Sequence, residues 1–238
     1  MRRGRLDQPT GAEAAIGEKK HSPYHQRMRF KALMLDVDGV VIVHPDPRGW
    51  SAHLERDLDL SSELLHAAFF QPHWQDIILG RADLRARLEP VLAEIAPHLS
   101  AETLTRYWFE NDAHLNHGLL AQLDPIRSAG VKLHLATVQE HQRARHIWHG
   151  LELKRSFDDM HYAAELGCAK PDERFFRVVE AKSGFSPSDI FFIDDKQANV
   201  DAAHARGWSA ALWNGTRSVT ALMEQAADCG PATPSPPP

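Results

Sequence analysis

The run Leu33-Met34-Leu35-Asp36-Val37-Asp38-Gly39-Val40-Val41 constrains this chain more than any other. Apolar residues without polar alternation lead into two carboxylates and a glycine. Such a run reads as a strand buried on both faces, the habit of parallel sheets. Carboxylates are rarely buried there unless they are paired or bind a metal. Asp36 and Asp38 stand two apart, so an extended backbone points them to one side. The carboxyl end of a parallel strand is where open α/β sheets bind ligands. Clustered carboxylates also offer hard oxygen ligands suited to Mg²⁺. Capping of a turn or helix is the structural alternative for the pair.

The rest of the chain repeats the strand rhythm. The first strand is expected over about 31–37, the second over Val131–Ala136 and the third around Met160–Ala163. The fourth is expected over Ile190–Ile193 and the fifth near Ser209–Leu212. Helical periods fall near His141–Trp148, Asp172–Ser183 and Ala198–Ala205, and Gly130 and Gly207 are placed to close helices. This order predicts an α/β fold, a parallel sheet with helices on both faces.

One interval breaks the rhythm. Residues 44–116 show helical periods only, with helix starts at Ser61-Ser62-Glu63 and at Ser100. Leu84, Leu88, Val91, Leu92 and Ile95 recur at helical spacing, and Tyr107 and Trp108 read as core. A helical insert leaving the sheet just after Asp36 and Asp38 is expected to sit over the strand ends as a lid, with Gly39 and Gly118 as hinges. The core is then 30–43 plus 117–228. Residues 1–29 are polar without periodicity and read as a disordered tail. Residues 229–238 are proline-rich and read as an extended one.

Composition narrows the function. A formal charge of −5 argues against a nucleic-acid partner. Two cysteines, Cys168 and Cys229, imply no disulfide framework, so a reducing, cytoplasmic setting is expected. The basic start lacks an apolar h-region, and no apolar stretch is long enough to suggest a membrane span.

Four signals fall at successive strand ends. Asp36 and Asp38 are the first. Thr137 is the second; a hydroxyl and backbone N–H groups before a helix can hold an anion. Lys170 is the third, just ahead of Pro171, which suits the first turn of a helix; its ammonium can neutralise a phosphate or a carboxylate. Asp194 and Asp195 are the fourth, and two adjacent acids after a buried strand read as outside the core. Singly, each has a structural reading: an N-cap for Thr137, a solvated Lys170, a cap at Ala198 for the acids. Together, in this order, they are far more specific.

These residues resemble the haloacid dehalogenase-like (HAD) hydrolases. The likeness rests on Asp36-Val37-Asp38-Gly39-Val40, Leu135-Ala136-Thr137, Lys170-Pro171 and Phe192-Ile193-Asp194-Asp195, and spans about Phe30 to Gly215. The insertion point matches the helical-cap subclass. Trp74-Gln75-Asp76-Ile77 through Gly80 is similar to caps of the branch holding the phosphatase domain of soluble epoxide hydrolases and small sugar-phosphate phosphatases. The resemblance implies a Rossmannoid sheet, a Mg²⁺ cofactor and a small phosphorylated substrate. It implies Asp36 as nucleophile, Asp38 as general acid/base, Thr137 and Val138 at the phosphoryl group, and Lys170 steadying its charge. It places Mg²⁺ on Asp36, the Asp38 carbonyl and Asp195, with Asp194 in support. A dehalogenase, a phosphomutase or an idle binding protein would share this scaffold. Val138 departs from the Asn of many relatives, and Asn199 from the Asp of some.

Other candidates carry less. His141, His146 and His149 share a helical stretch, with no Cys or carboxylate to complete a zinc set. Trp208 and Trp213 read as packing, and Cys168 as an inert buried thiol.

Overall fold

The computed structural model describes residues 29–228; the two expected tails lie outside them, except Arg29. Arg29 donates to the carbonyls of Ala226 and Ala227, at 2.8 and 3.2 Å, at the end of the last helix. It therefore belongs to the fold rather than to a tail.

Five strands form one sheet: β1 (Ala32–Leu35), β2 (Lys132–Thr137), β3 (Asp159–Tyr162), β4 (Ile190–Asp194) and β5 (Ser209–Leu212). Their order is β3-β2-β1-β4-β5 and every pairing is parallel. The strand carrying the first acidic motif is thus central. Leu33 sits beside Leu133 and Phe191, so like residues meet across the register. Because side chains alternate along a strand, each strand feeds two separate layers. Leu33, Leu35, Leu133, Leu135, Phe191 and Ile193 share one cluster, and Ala32, Met34, Ala136, Ile190 and Phe192 share the other. The first is covered by α5 (Leu123–Ser128), α6 (His141–Arg145) and α9 (Val219–Asp228). The second is covered by α7 (Glu173–Ser183) and α8 (Gln197–Ala205).

Between β1 and β2 lies the helical insert: α1 (Leu54–Leu58), α2 (Gln71–Ile78), α3 (Leu84–Ile95) and α4 (Ala101–Asn111). It has its own apolar cluster, including Leu65, Phe69, Leu88, Leu104 and Trp108. Ser61 and Ser100 cap helices, accepting from the amides of Leu64 and Thr103. Tyr107 is half-buried at the cluster's margin, its hydroxyl donating to Asp57.

Several local expectations are corrected. β1 stops at Leu35, and the chain turns at once: the amides of Val41 and Ile42 both donate to the Val37 carbonyl, at 2.9 and 2.8 Å. Asp36 and Asp38 are therefore not on one extended face. Gly118 lies in the short helix His117–Leu120 and does not have a positive φ. Gly39 does, at +79°, and a Cβ there would collide with Asp195 Oδ2, so the close approach of that side chain requires a glycine. The two connections to the insert run together. Val43 N–H donates to His114 O and Asn116 N–H to Val41 O, at 2.9 and 2.8 Å. Pro171 precedes α7 rather than opening it, because Asp172 is the N-cap and accepts from the Arg174 amide. Asp194 is the last residue of β4 and wholly buried, not beyond the core.

Candidate active site

The four strand-end signals converge at the carboxyl ends of β1, β2 and β4. Asp36 leaves β1 with its own amide on the Ile193 carbonyl. Its Oδ1 accepts from the Val37 amide at 2.7 Å and lies 3.0 Å from Lys170 Nζ. Oδ2 has no hydrogen-bond partner among the described residues.

Lys170 arrives from the loop after β3, its side chain fully shielded. Its ammonium meets Asp36, Asp194 Oδ2 at 2.5 Å and the Ala136 carbonyl at 2.8 Å. That uses all three of its hydrogens, and the ring of Phe192 lies 5.1 Å beneath. Lys170 thus ties Asp36 to Asp194 and to the end of β2.

Asp194 and Asp195 divide their work. Asp194 accepts from Lys170, from the Lys196 amide at 2.8 Å and from Asn199 Nδ2 at 2.9 and 3.0 Å. Its role is to hold Lys170 and the turn into α8, and it does not cap α8. Asn199, one turn into α8, is what the cluster needs: an amide donates to Asp194 where a carboxylate would add repulsion. Asp195 faces Gly39, and its Oδ1 is buried with no partner. Asp36, Asp194 and Asp195 each present an oxygen within 4.8 Å of the others.

Charge separates these acids. Burial pushes Asp36 up to about 6, although Lys170 pulls it down. Burial also raises Asp195, opposed by Lys196. Burial would raise Asp194 too, but Lys170 and its hydrogen bonds outweigh it and hold the carboxyl below its usual value. One lysine among three carboxylates leaves the cluster short of positive charge. With the orphaned Asp195 Oδ1, that donor set suits a hard divalent cation.

Asp38 points elsewhere. Its side chain is 49% exposed, and its oxygens are held by Arg143 Nη2 at 2.9 Å and Gln139 Nε2 at 2.8 Å. Its carboxylate is not in the metal-capable group. Thr137 ends β2 fully buried, with Gln139 Nε2 3.4 Å from its hydroxyl. Val138, half-buried, follows it. The first turn of α6 is not open to an anion, because Glu140 accepts from the Gln142 and Arg143 amides.

The insert docks on this end of the sheet. Arg143 Nη2 reaches Asp112 Oδ2 at 2.7 Å, Gln142 donates to Asp83 at 3.1 Å, and the rings of Phe109 and His146 stand 5.4 Å apart. A cavity of about 590 Å³ runs along the seam, lined by Arg85 and Phe109 on one side and His141, Arg145 and His149 on the other. These histidines form no metal group among the described residues. The sequence reading missed Gln139, Arg143 and Asp112, and noted Asn199 only as a departure from the Asp of some relatives. Gln139 and Arg143 lie in the six residues after Thr137, and that proximity was the one signal available.

A second cluster, also missed, lies on β2 and β3. His134 Nδ1 and His161 Nε2 are 3.0 Å apart, with Asp159 nearby. Burial pushes His161 down to about 4, against the pull of Asp159, and lowers His134 as well. A folded value below the unfolded 6.5 means that the unfolded chain takes up protons first as pH falls. Stability is therefore expected to drop by about 2 kcal/mol between pH 7.5 and 5 from His161. Denaturant unfolding at both pH values checks this against His161→Gln, whose pH slope should be flatter. Equal slopes would remove these rings as the cause.

Trp208 and Trp213 are buried packing, Trp208 donating to Glu180 at 2.7 Å. Cys168 is buried, and that burial raises its thiol. No helix among the described residues is long and apolar enough to cross a membrane.

A buried, lysine-held carboxylate at the end of a central parallel strand, beneath a helical insert, defines a class of α/β hydrolase. The chain belongs to the haloacid dehalogenase-like hydrolase family, whose profile matches residues 30–207. Its fold is similar to that of a HAD family enzyme from Bacteroides thetaiotaomicron, with a TM-score of 0.69 at 17% identity over 81% of this chain and 98% of that one. The same enzyme has been solved with magnesium and inorganic phosphate, matching with a TM-score of 0.64 at 16% identity over 81% of this chain and 98% of that one. A dehalogenase matches less closely, at a TM-score of 0.55 and 16% identity over 83% of this chain and 90% of that one. In sequence, a phosphorylated carbohydrates phosphatase of Thermotoga maritima is 27% identical over 92 residues, 39% of this chain. The chain spans less than half of that relative, 43% of its length.

Proposed function

We propose that the chain is a Mg²⁺-dependent phosphatase that hydrolyses a small phosphorylated metabolite through an aspartyl-phosphate on Asp36. The observation that carries this reading is the division between the first two acids. Asp36 is buried and held by Lys170 with one oxygen unpartnered, while Asp38, two residues on, stands half-open to solvent. One carboxylate is set to attack and the other to exchange protons.

In the first step Asp36 Oδ2 attacks phosphorus. The Asp36 O–P bond forms, the ester P–O bond breaks, and protonated Asp38 gives its proton to the departing oxygen. In the second step Asp38 takes a proton from water, whose oxygen attacks phosphorus and returns Asp36 and inorganic phosphate. The Thr137 hydroxyl and the backbone at Val138 hold the phosphoryl oxygens. Lys170 keeps Asp36 aimed and offsets the charge that gathers there. Asp36, Asp195 and the Asp38 carbonyl would hold Mg²⁺, which supplies the positive charge that the cluster lacks. The docked insert excludes water and shapes the space for the leaving group.

The deciding assay is phosphate release from p-nitrophenyl phosphate with Mg²⁺ and with EDTA, beside halide release from a 2-haloacid. Metal-dependent phosphate release is the expected result. Halide release without phosphate release would favour a dehalogenase instead. A metabolite-phosphate panel then identifies the substrate.

Gly39→Ala tests the metal site without replacing a carboxylate. Its methyl would displace Asp195 and impose φ +79° on a residue with a Cβ. The Mg²⁺ needed for half-maximal activity is expected to rise about tenfold or more, as when a metal's supporting contacts are lost. Titrating Mg²⁺ against rate checks it, and an unchanged midpoint would separate Asp195 from the metal.

A further inference from the structure

Arg143 connects two parts of the molecule that are far apart in sequence. It lies on α6, and its side chain is only 4% exposed. Nη2 is 2.9 Å from Asp38 Oδ1 and 2.7 Å from Asp112 Oδ2. Nη1 is 3.2 Å from Gln139 Oε1 and 3.4 Å from Asp38 Oδ1. Gln139 in turn gives its amide to Asp38 Oδ2 at 2.8 Å. Both oxygens of Asp38 therefore have fixed donors, although its side chain is half open to solvent. Asp112 is the C-cap of α4, the last helix of the insert, and also accepts from Trp108 Nε1 at 3.3 Å.

We propose that Arg143 is the positioning residue for the Asp38 carboxylate, and that through Asp112 it makes this positioning depend on the docked insert. The inference rests on the reading of Asp38 as the proton-transfer group. A guanidinium is a rigid planar fork, so its nitrogens can serve Asp38, Gln139 and Asp112 together. A buried cation also requires counter-charge. With the insert docked, Asp38 and Asp112 share that task. With the insert displaced, Asp112 leaves, the guanidinium opens to water, and its hold on Asp38 slackens. Proton transfer is then competent only when the insert covers the substrate. Arg143 itself neither gives nor takes a proton: the proton passes from Asp38 to the leaving oxygen as the ester P–O bond breaks.

General acid assistance matters most for poor leaving groups, which supplies a readout that simple loss of structure does not move. The experiment measures kcat/KM at saturating Mg²⁺ on p-nitrophenyl phosphate, phenyl phosphate and glycerol 2-phosphate. The proteins are wild type, Arg143→Lys, Asp112→Asn and Asp38→Asn. Arg143→Lys keeps the charge and removes the fork. It is expected to lose no more than about threefold on p-nitrophenyl phosphate and about a hundredfold on glycerol 2-phosphate, a large part of what a general acid supplies. Asp112→Asn, an isosteric change 18% exposed in its side chain, should show the same trend at about tenfold on glycerol 2-phosphate. A uniform loss across the series in Arg143→Lys, with a steep one in Asp38→Asn, would overturn the positioning role. A flat series in Asp112→Asn would overturn the link to the insert, and this variant stands as the test should Arg143→Lys fail to fold. If Asp38→Asn itself shows no dependence on the leaving group, the reading of Asp38 fails. If wild type hydrolyses none of the three, the phosphatase reading fails.

Discussion

Asp36→Asn is expected to release phosphate from p-nitrophenyl phosphate at least about a thousandfold more slowly than wild type, because a nucleophile has no substitute in a covalent mechanism. An amide has the shape of the carboxylate, and its carbonyl oxygen can still accept from the Val37 amide and Lys170. Its oxygen does not form a stable bond to phosphorus. The same variant should melt at or above the wild-type temperature. Burial raises Asp36 from its ordinary 3.8 to about 6, so the folded chain favours the neutral form. Above about pH 6 the ionised group lowers stability, by at most about 3 kcal/mol, and below about pH 4 it has no effect. Removing the charge should therefore stabilise the metal-free protein at neutral pH and leave it unchanged in acid. Thermal melts and phosphate release on the same samples test both halves, and wild-type turnover in Asp36→Asn would sink the nucleophile assignment.

Lys170→Met should unsettle the whole core. Its ammonium is the cation between Asp36 and Asp194, both of them buried. Methionine fills much of the volume but leaves two carboxylates facing each other without water. Loss of one partner from a buried ion pair costs about 3–5 kcal/mol, against about 5–15 kcal/mol for a whole domain. Part of that loss should return with Mg²⁺, which offers the missing positive charge, and part on acidification, which protonates Asp36. Denaturant unfolding with and without Mg²⁺ measures it. A loss under about 1 kcal/mol, insensitive to Mg²⁺, would mean that Lys170 is not the cluster's organising cation.

How far the sequence could be read follows from where each interaction lies along the chain. Strand β4 was legible because Ile190–Ile193 is apolar without interruption, and the helix after Ser100 because its cap and its apolar spacing are local signals. The Asp36–Lys170 pairing was legible only through its motifs. The partners of Asp38 were legible only as near neighbours of Thr137 in sequence. Arg143 is 105 residues away, and a lone arginine on an amphipathic helix looks like a solvated one. Nothing in the sequence links His134 and His161, which only the parallel pairing of β2 with β3 brings together.

The sequence by itself determined the five strands and several of the helices, where the insert leaves the sheet, and which acids stand at strand ends. Burial periodicity and caps act over a few residues, so that information is local. Tertiary structure alone decided which groups each acid meets. The turn after Leu35 sends Asp36 to Lys170 and Asp38 to Arg143. Gly39 presses on Asp195 while Asn199 and Lys170 occupy Asp194. A carboxylate's chemistry is set by the donors and the water around it, and only the packing of distant elements brings those donors to it.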